Sequence, residues 1–299
     1  MSPGEHDVLL LLVVDHRGSF ARLLGTGEDD RARLRDAKRV AWEGLQRAIE
    51  PARERGARCG VLVDEELGAE VARAAAASDL TLAMPVERPG QRVLELAYGD
   101  DFARHVEAFE PDLVKALVRW NPGDDPDDKK IQAQRLTSLS AWLHATGRTL
   151  LLELLLPPTD DDLARVEGDA TRFDIELRPE LTRRAVREIR DLGVEPDVWQ
   201  LEGVDERPDA EELLALLRDE GRDHVVALVL GDADDGRLEH RLRLAGGHDG
   251  VAGLAIGPPA WREPLGEHLA GRLERDEAAE RIAARLIDLL DVHLDAEAT

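Results

Sequence analysis

Cysteine, lysine and aromatic residues are scarce in this chain of 299 residues, and each scarcity excludes something. A single cysteine, Cys59, rules out an internal disulfide, and no neighbouring histidine or basic pair marks it as an activated thiolate. The nine histidines are scattered without the paired spacing of a zinc site, so neither a metal nor another cofactor is expected. Lysine occurs only at Lys38, Lys115, Lys129 and Lys130, which limits amine chemistry to four candidates. Positive charge is short overall, with 39 Lys and Arg against 63 Asp and Glu and a formal net charge of −24. Such a chain repels phosphate backbones and anionic headgroups, so no nucleic-acid or membrane partner is expected. An anionic ligand would need a local cationic pocket. Long apolar runs are missing too: Val8 to Val14 is too short to span a bilayer and reads as a buried strand. No basic stretch followed by an apolar run marks a signal peptide, so the cytoplasm is the expected compartment.

What is present is a hydrophobic content of 43%, enough for a core, and 34% charged residues, enough for a soluble surface. Short apolar runs alternate with longer amphipathic segments, the pattern of parallel strands covered by helices on the outside. The strand candidates are Val8–Asp15, Arg58–Asp64, Leu80–Met84, Leu113–Arg119, Thr149–Leu155, Val198–Glu202, His224–Leu230 and Val251–Ile256. Helices are expected to begin near Arg31, Gly68, Asp100, Pro126, Pro179, Asp209, Asp234 and Pro264. Eight strand-helix units predict an α/β fold, a closed (β/α)8 TIM barrel, with an extra C-terminal helix over Asp276–Val292. No linker or low-complexity tract divides the chain, so residues 1–299 read as one domain, compatible with a homo-oligomer. The acidic stretches Asn121–Asp128 and Pro157–Asp162 read as loops whose aspartates are solvated or cap helices.

In a barrel of this kind the loops at the carboxyl ends of the strands build the active site, so polar residues closing apolar strands come first. Asp15 ends the first strand, with His16 on the opposite face and Arg17 beyond it; Asp64 and Glu65 end the second. Lys115, Leu117 and Arg119 share one face of the fourth strand, and Glu153 stands among leucines in the fifth. A lysine and a glutamate within buried strands are costly unless paired. Lys115 and Glu153 are therefore expected to meet inside the barrel, either as a structural ion pair or as a proton-transfer pair. Lys38, Lys129 and Lys130 fall on helices and are expected to be exposed.

The segments Val13–Phe20, Gly60–Gly68, Tyr98–Pro122, Leu139–Pro158, Leu177–Gly203 and Ile256–Leu265 together resemble class I aldolases related to tagatose-bisphosphate aldolase. They are most similar to the 2-deoxy-5-keto-gluconate-6-phosphate aldolase domain found fused to 5-dehydro-2-deoxygluconokinase. The resemblance implies retro-aldol cleavage of a phosphorylated ketose in carbohydrate catabolism, including that of inositol, through an imine on a lysine and proton shuttling by a glutamate. Asp15, Lys115 and Glu153 match the aspartate, second lysine and catalytic glutamate of that pattern, and Arg17, Asp64, Glu65, Arg119, Gln200, Glu202, Gly231 and Gly257 are the candidate substrate-binding residues. At the imine position of the sixth strand this sequence has Gln200, whose amide nitrogen is not nucleophilic. Where the pattern has two Gly-Arg phosphate contacts, this sequence reads Gly231-Asp232 and Gly257-Pro258, which disfavours a phosphorylated substrate.

Three readings follow. One is a carbon–carbon lyase on a sugar-derived keto substrate, with Lys115 taking over the amine chemistry. Another is an inactive homologue that binds a sugar, an acid or a protein partner through the retained pocket. A third is an enzyme that holds Mg²⁺ or Mn²⁺ with Asp15, Asp64, Glu65 and Glu153.

Overall fold

The computed structural model describes residues 8–27, 30–231 and 236–295. Eight parallel strands close into a barrel in sequence order: β1 (Val8–Val14), β2 (Ala57–Val63), β3 (Thr81–Pro85), β4 (Leu113–Arg119), β5 (Thr149–Leu155), β6 (Val198–Glu202), β7 (Val226–Gly231) and β8 (Val251–Ile256). The first helices are α1 (Gly18–Leu23), α2 (Arg31–Glu54), α3 (Glu65–Ala76), α4 (Phe102–Phe109), α5 (Pro126–Ala145) and α6 (Asp160–Arg165). They are followed by α7 (Ala170–Arg172), α8 (Arg178–Asp191), α9 (Arg207–Arg218), α10 (Leu238–Ala245), α11 (Pro258–Leu269) and α12 (Arg275–Leu294). The expected architecture is the observed one, including the final helix, which packs across α2, α10 and α11.

The strands are apolar on both faces because both are buried, and their period of two divides the core into compartments. Leu10, Leu12 and Val14 of β1 face outward into the layer formed with α2, α11 and α12. Leu9, Leu11 and Val13 point inward and meet Leu62, Ala83, Leu113, Leu151, Val198, Leu228 and Ala255, which fill the barrel interior. The inward parity of Leu113 carries Lys115, Leu117 and Arg119, and that of Leu151 carries Glu153. Polar side chains therefore stack above an apolar plug at the carboxyl ends of the strands. The barrel closes where β8 meets β1, at Gly253. Its φ of +141° and the Leu9 backbone pressed against it leave no space for a Cβ.

Helix starts follow local chemistry more closely than expected at some ends and less at others. Pro126 opens α5 as predicted, behind an Asp125 side chain that accepts from the N–H groups of Asp127 and Asp128. The helix expected near Gly68 starts at Glu65, because Asp64 caps it through the Leu67 N–H. The one expected near Pro264 starts at Pro258, with Pro264 inside it; the earlier proline supplies the N-terminal turn. Pro157–Asp162 is only partly a loop, since Thr159 and Asp162 form a reciprocal cap for α6. The short α1 over the barrel mouth was not foreseen, and the start expected at Asp234 lies outside the described residues.

One expectation about charge fails. Lys38 is on a helix, as read, but it is fully buried between α2 and the sheet. Its ammonium donates to the backbone oxygens of Val14 and His16 and to the Asp64 carboxylate. Lys129 is only half-exposed and bonds Glu188 at 2.6 Å, whereas Lys130 is exposed as expected.

Candidate active site

Lys115 and Glu153 meet, and they do not meet alone. The Lys115 ammonium lies 2.7 Å from Glu153 Oε2, 2.8 Å from Asp15 Oδ2 and 3.0 Å from Glu87 Oε1, so three carboxylates surround one cation. Four different elements supply these groups: Asp15 just past β1, Glu87 in the segment after β3, Lys115 in β4 and Glu153 in β5. Lys115 is 2% exposed. Burial pulls its pKa down, but the charges of Asp15, Glu153 and Glu87 outweigh it and hold the ammonium well above the ordinary lysine value. The carboxylates divide unequally. Burial raises Asp15, yet Lys115, His16 and Arg17 bring it down to about 2. Burial dominates at Glu153 and, despite Lys115, pushes it up to about 7. One acid is thus a fixed charge at neutral pH and its neighbour is poised to exchange a proton.

Above this cluster opens a cavity of about 400 Å³, large enough for a small metabolite. Its floor includes Val13, Lys115, Leu117, Glu153, Leu155 and Leu230. Arg17, Arg22, Arg88, Arg119 and Arg262 line its walls and rim, from the β1 loop and α1, the segment after β3, β4 and α11. A chain with net charge −24 therefore concentrates cations around this opening. The residues from Val86 to Ala97 fold back as a small hairpin beside it: Arg88 N–H donates to Glu95 O at 2.7 Å and Ala97 N–H to Val86 O at 2.8 Å. This hairpin is pinned by Arg17 to the Glu87 carbonyl at 2.8 Å, by Arg119 to the Gln91 carbonyl at 2.9 Å and by Gln132 Oε1, which accepts from Leu94 N–H at 2.9 Å.

The other expected site residues are divided between the cavity and its surroundings. Arg17 and Arg119 line the cavity. Asp64, 1% exposed, is committed to Lys38 and to the start of α3, and it faces away from the cavity. Glu65 lies in a separate crevice, where it bonds His105 Nδ1 at 2.7 Å under the stacked Tyr98 ring. Glu202 is held by Arg178 and accepts from Leu156 N–H at 3.2 Å, in a network where Asp174, Arg237, Asp205 and Arg241 continue around the β6–β7 side of the mouth. Gly257 donates its N–H to the Gly231 carbonyl at 2.9 Å. A Cβ on Gly231 would come within 2.6 Å of the Ile256 Cδ1 methyl, so this glycine leaves room for that side chain. Asp232 lies outside the described residues. Gln200 is fully buried on the inward face of β6, and neither its Oε1 nor its Nε2 has a hydrogen-bond partner. Leaving such a group unsatisfied costs roughly 1–3 kcal/mol.

Sequence reasoning missed Glu87 and three of the rim arginines, Arg22, Arg88 and Arg262. A signal for Glu87 existed: it follows Ala83 and Pro85 at a spacing of two and so continues the inward parity of β3. His16 packs its ring edge-on against Trp261 at 5.4 Å, but it does not lie opposite Asp15: it lines the same cavity, with Nδ1 3.8 Å from Asp15 Oδ1, because the chain leaves the strand alternation after β1. Cys59 is a buried thiol that burial pushes up to about 11, in keeping with an unactivated thiol.

The arrangement narrows the chemistry. An ammonium has no lone pair, so Lys115 clamped by three carboxylates is a poor imine former at neutral pH. The proposed oxygen cage for Mg²⁺ or Mn²⁺ does not assemble. Asp64 and Glu65 point elsewhere, and the place where Asp15, Glu87 and Glu153 converge is filled by the Lys115 cation. Arginines from other elements, Arg17, Arg22, Arg88, Arg119 and Arg262, line the cavity whose phosphate-facing pattern after β7 and β8 carries no arginine in this sequence.

The barrel has counterparts among solved structures. A Corynebacterium glutamicum protein, Cgl0159, aligns over 96% of this chain and 88% of its own with a TM-score of 0.62 and 19% identity. An archaeal fructose 1,6-bisphosphate aldolase covers 96% and 94% with a TM-score of 0.56 and 14% identity. The YdjI aldolase from Escherichia coli K12 covers 98% and 93% with a TM-score of 0.54 and 8% identity. At these identities the likeness is one of fold: an aldolase-like TIM barrel. No curated protein matches the chain in sequence. A family profile does, over residues 2–297, and the chain belongs to that family, described as uncharacterized protein conserved in bacteria (DUF2090).

Proposed function

We propose that the chain is an aldolase-like carbon–carbon lyase for an anionic, sugar-derived carbonyl compound, working without an enzyme imine. The observation that carries this reading is the buried Lys115–Glu153 pair, flanked by Asp15 and Glu87, at the floor of an arginine-lined cavity. The resemblance to 2-deoxy-5-keto-gluconate-6-phosphate aldolases and the aldolase-like fold support it. Gln200, at the position where that resemblance places the imine lysine, directs the mechanism elsewhere. Glu153 as carboxylate takes the proton from the hydroxyl on the carbon β to the substrate carbonyl. That carbon becomes an aldehyde as the carbon–carbon bond breaks, and the electron pair passes to the carbonyl as an enolate. Lys115 and the arginines offset the developing negative charge. Glu153 as acid then returns the proton to the enolate carbon, which regenerates the carboxylate and balances the cycle.

The test is incubation with phosphorylated and unphosphorylated ketoses and keto-sugar acids, with aldehyde release followed by proton NMR. Wild type should release aldehyde, Glu153→Gln should lose at least ~100-fold in rate, and borohydride should trap no adduct. An adduct on Lys115 would restore the imine route. Ligand-induced stabilisation with no product from any compound would make the chain a binding protein instead.

A further inference from the structure

Gln200 is the one side chain of the barrel floor whose polar atoms are both buried and without partners among the described residues. A buried amide of that kind calls for a partner, so the question is which group could supply it. The neighbours across the sheet answer it. In register, Gln200 is flanked by Glu153 of β5 and Leu228 of β7, and the inward residues one layer down, Leu151, Val198 and Val226, are apolar. Glu153 is therefore the polar group beside it. Paired residues on neighbouring strands have their Cβ atoms about 5 Å apart, well within the combined reach of a glutamate and a glutamine.

As a carboxylate, Glu153 is drawn to the Lys115 ammonium at 2.7 Å. Protonation removes the charge that holds it there and adds an O–H donor. A carboxylic acid and a primary carboxamide are complementary: the acid O–H donates to the amide oxygen while the amide N–H donates to the acid carbonyl. Both orphan atoms of Gln200 are satisfied at once. We propose that Gln200 is a positioning residue that receives the protonated Glu153 side chain, so that this acid occupies two sites, Lys115 when ionised and Gln200 when neutral. The titratable and charged groups that share the cavity with Glu153 are Lys115 and Arg119 from β4, Asp15, His16 and Arg17 from the end of β1, Arg22 from α1, Glu87 and Arg88 from the segment after β3, and Arg262 from α11. From β6, Gln200 brings no charge and Glu202 is bound by Arg178. When Glu153 takes up its proton, Lys115 keeps Asp15 and Glu87 as partners, and Gln200 gains its first.

The inference deepens the lyase reading and rests on it for its catalytic meaning, since the neutral acid is the form that would return a proton to carbon. Its test uses the free protein, so the two fail separately. Glutamate labelled with ¹³C at the δ-carboxyl is titrated by NMR, with Glu153→Gln identifying the resonance. Glu153 should titrate near about 7 in wild type. Gln200→Leu should lower that midpoint by about one unit, a tenfold loss of proton affinity, because the neutral form loses its partner. The same variant should cost more stability at pH about 5.5, where Glu153 is protonated, than at about 8.5, where wild-type Gln200 is already unpartnered. Gln200→Met, closer in shape, repeats both measurements should the leucine variant fold poorly. An unchanged or raised midpoint, or equal losses at the two pH values, would show that the amide serves a fixed partner such as a trapped water and would overturn the proposal.

Discussion

Two lysines are sealed in this protein, on opposite sides of one sheet. Lys38, outside the barrel under α2, has a single counter-charge, Asp64, and completes its hydrogen bonds with two backbone carbonyls. Burial pulls its pKa below the ordinary lysine value, with Asp64 only partly offsetting that pull. Lys115, inside the barrel, has three counter-charges and is pushed the other way. The difference separates an ion whose charge is balanced from one held by an excess of opposite charge. Lys38 is balanced one for one and ties the ends of β1 and β2 to a helix. Around Lys115 negative charge is in excess, and it is kept in check by one acid that holds a proton near neutrality and by arginines at the cavity wall. An excess of acid over base beside an opening is capacity to move protons.

Three experiments would break or sharpen that contrast. The largest effect is expected from Lys38→Met, which strands Asp64 in the core: a loss of about 3–5 kcal/mol in denaturant unfolding. Adding Asp64→Asn should restore part of it, since the amide removes the stranded charge while its oxygen can still accept from the Leu67 N–H that caps α3. A Lys38→Met protein as stable as wild type would end the distinction. Next comes Lys115→Met. Its three facing carboxylates would repel one another and take up protons, so the folded state would bind more protons than the unfolded one. Its deficit relative to wild type should therefore be small near pH 5 and grow towards pH 8, measured by melting temperature. A deficit independent of pH would mean that the carboxylates do not share the cation. The smallest effect separates the two lysines under alkali. Lys38, with its folded pKa depressed, binds fewer protons folded than unfolded, so its contribution to stability rises with pH up to about 10.5. Lys115, with its folded pKa raised, contributes fully below 10.5 and loses that contribution as pH climbs through the folded value. From pH 8 to 10.5 the deficit of Lys38→Met should grow while that of Lys115→Met stays level, and only above 10.5 should the Lys115→Met deficit shrink; parallel courses below 10.5 would contradict both assignments.

The barrel was legible in the sequence because both faces of every strand are buried, which writes each strand as an apolar run and makes its polar interruptions conspicuous. Lys115 and Glu153 could be paired from parity alone for that reason. Glu87 escaped because Pro85 looks like the end of a strand, although the extended backbone keeps its alternation for two more residues. Lys38 escaped because its burial depends on Asp64, 26 residues away, and on a helix face that reads as mixed polar and apolar. Asp64 and Glu202 looked like rim residues by position. Their partners Lys38 and Arg178 come from helices, and no strand periodicity reports where a helix sends a long side chain. The rim arginines were hidden similarly, since α1 and the hairpin at residues 86–97 are set by tertiary contacts rather than by a repeating pattern.

The hairpin carries a consequence beyond covering the cavity. Glu87 sits on it, touching the Lys115 ammonium at 3.0 Å while Arg17 grips the same residue's carbonyl. A swing of this flap by a few ångströms would break the Glu87 contacts with the Lys115 ammonium and the Leu117 N–H and take that carboxylate away from the floor. Loop motion here is thus also an electrical event: opening would loosen the hold on the lysine proton and closing would tighten it.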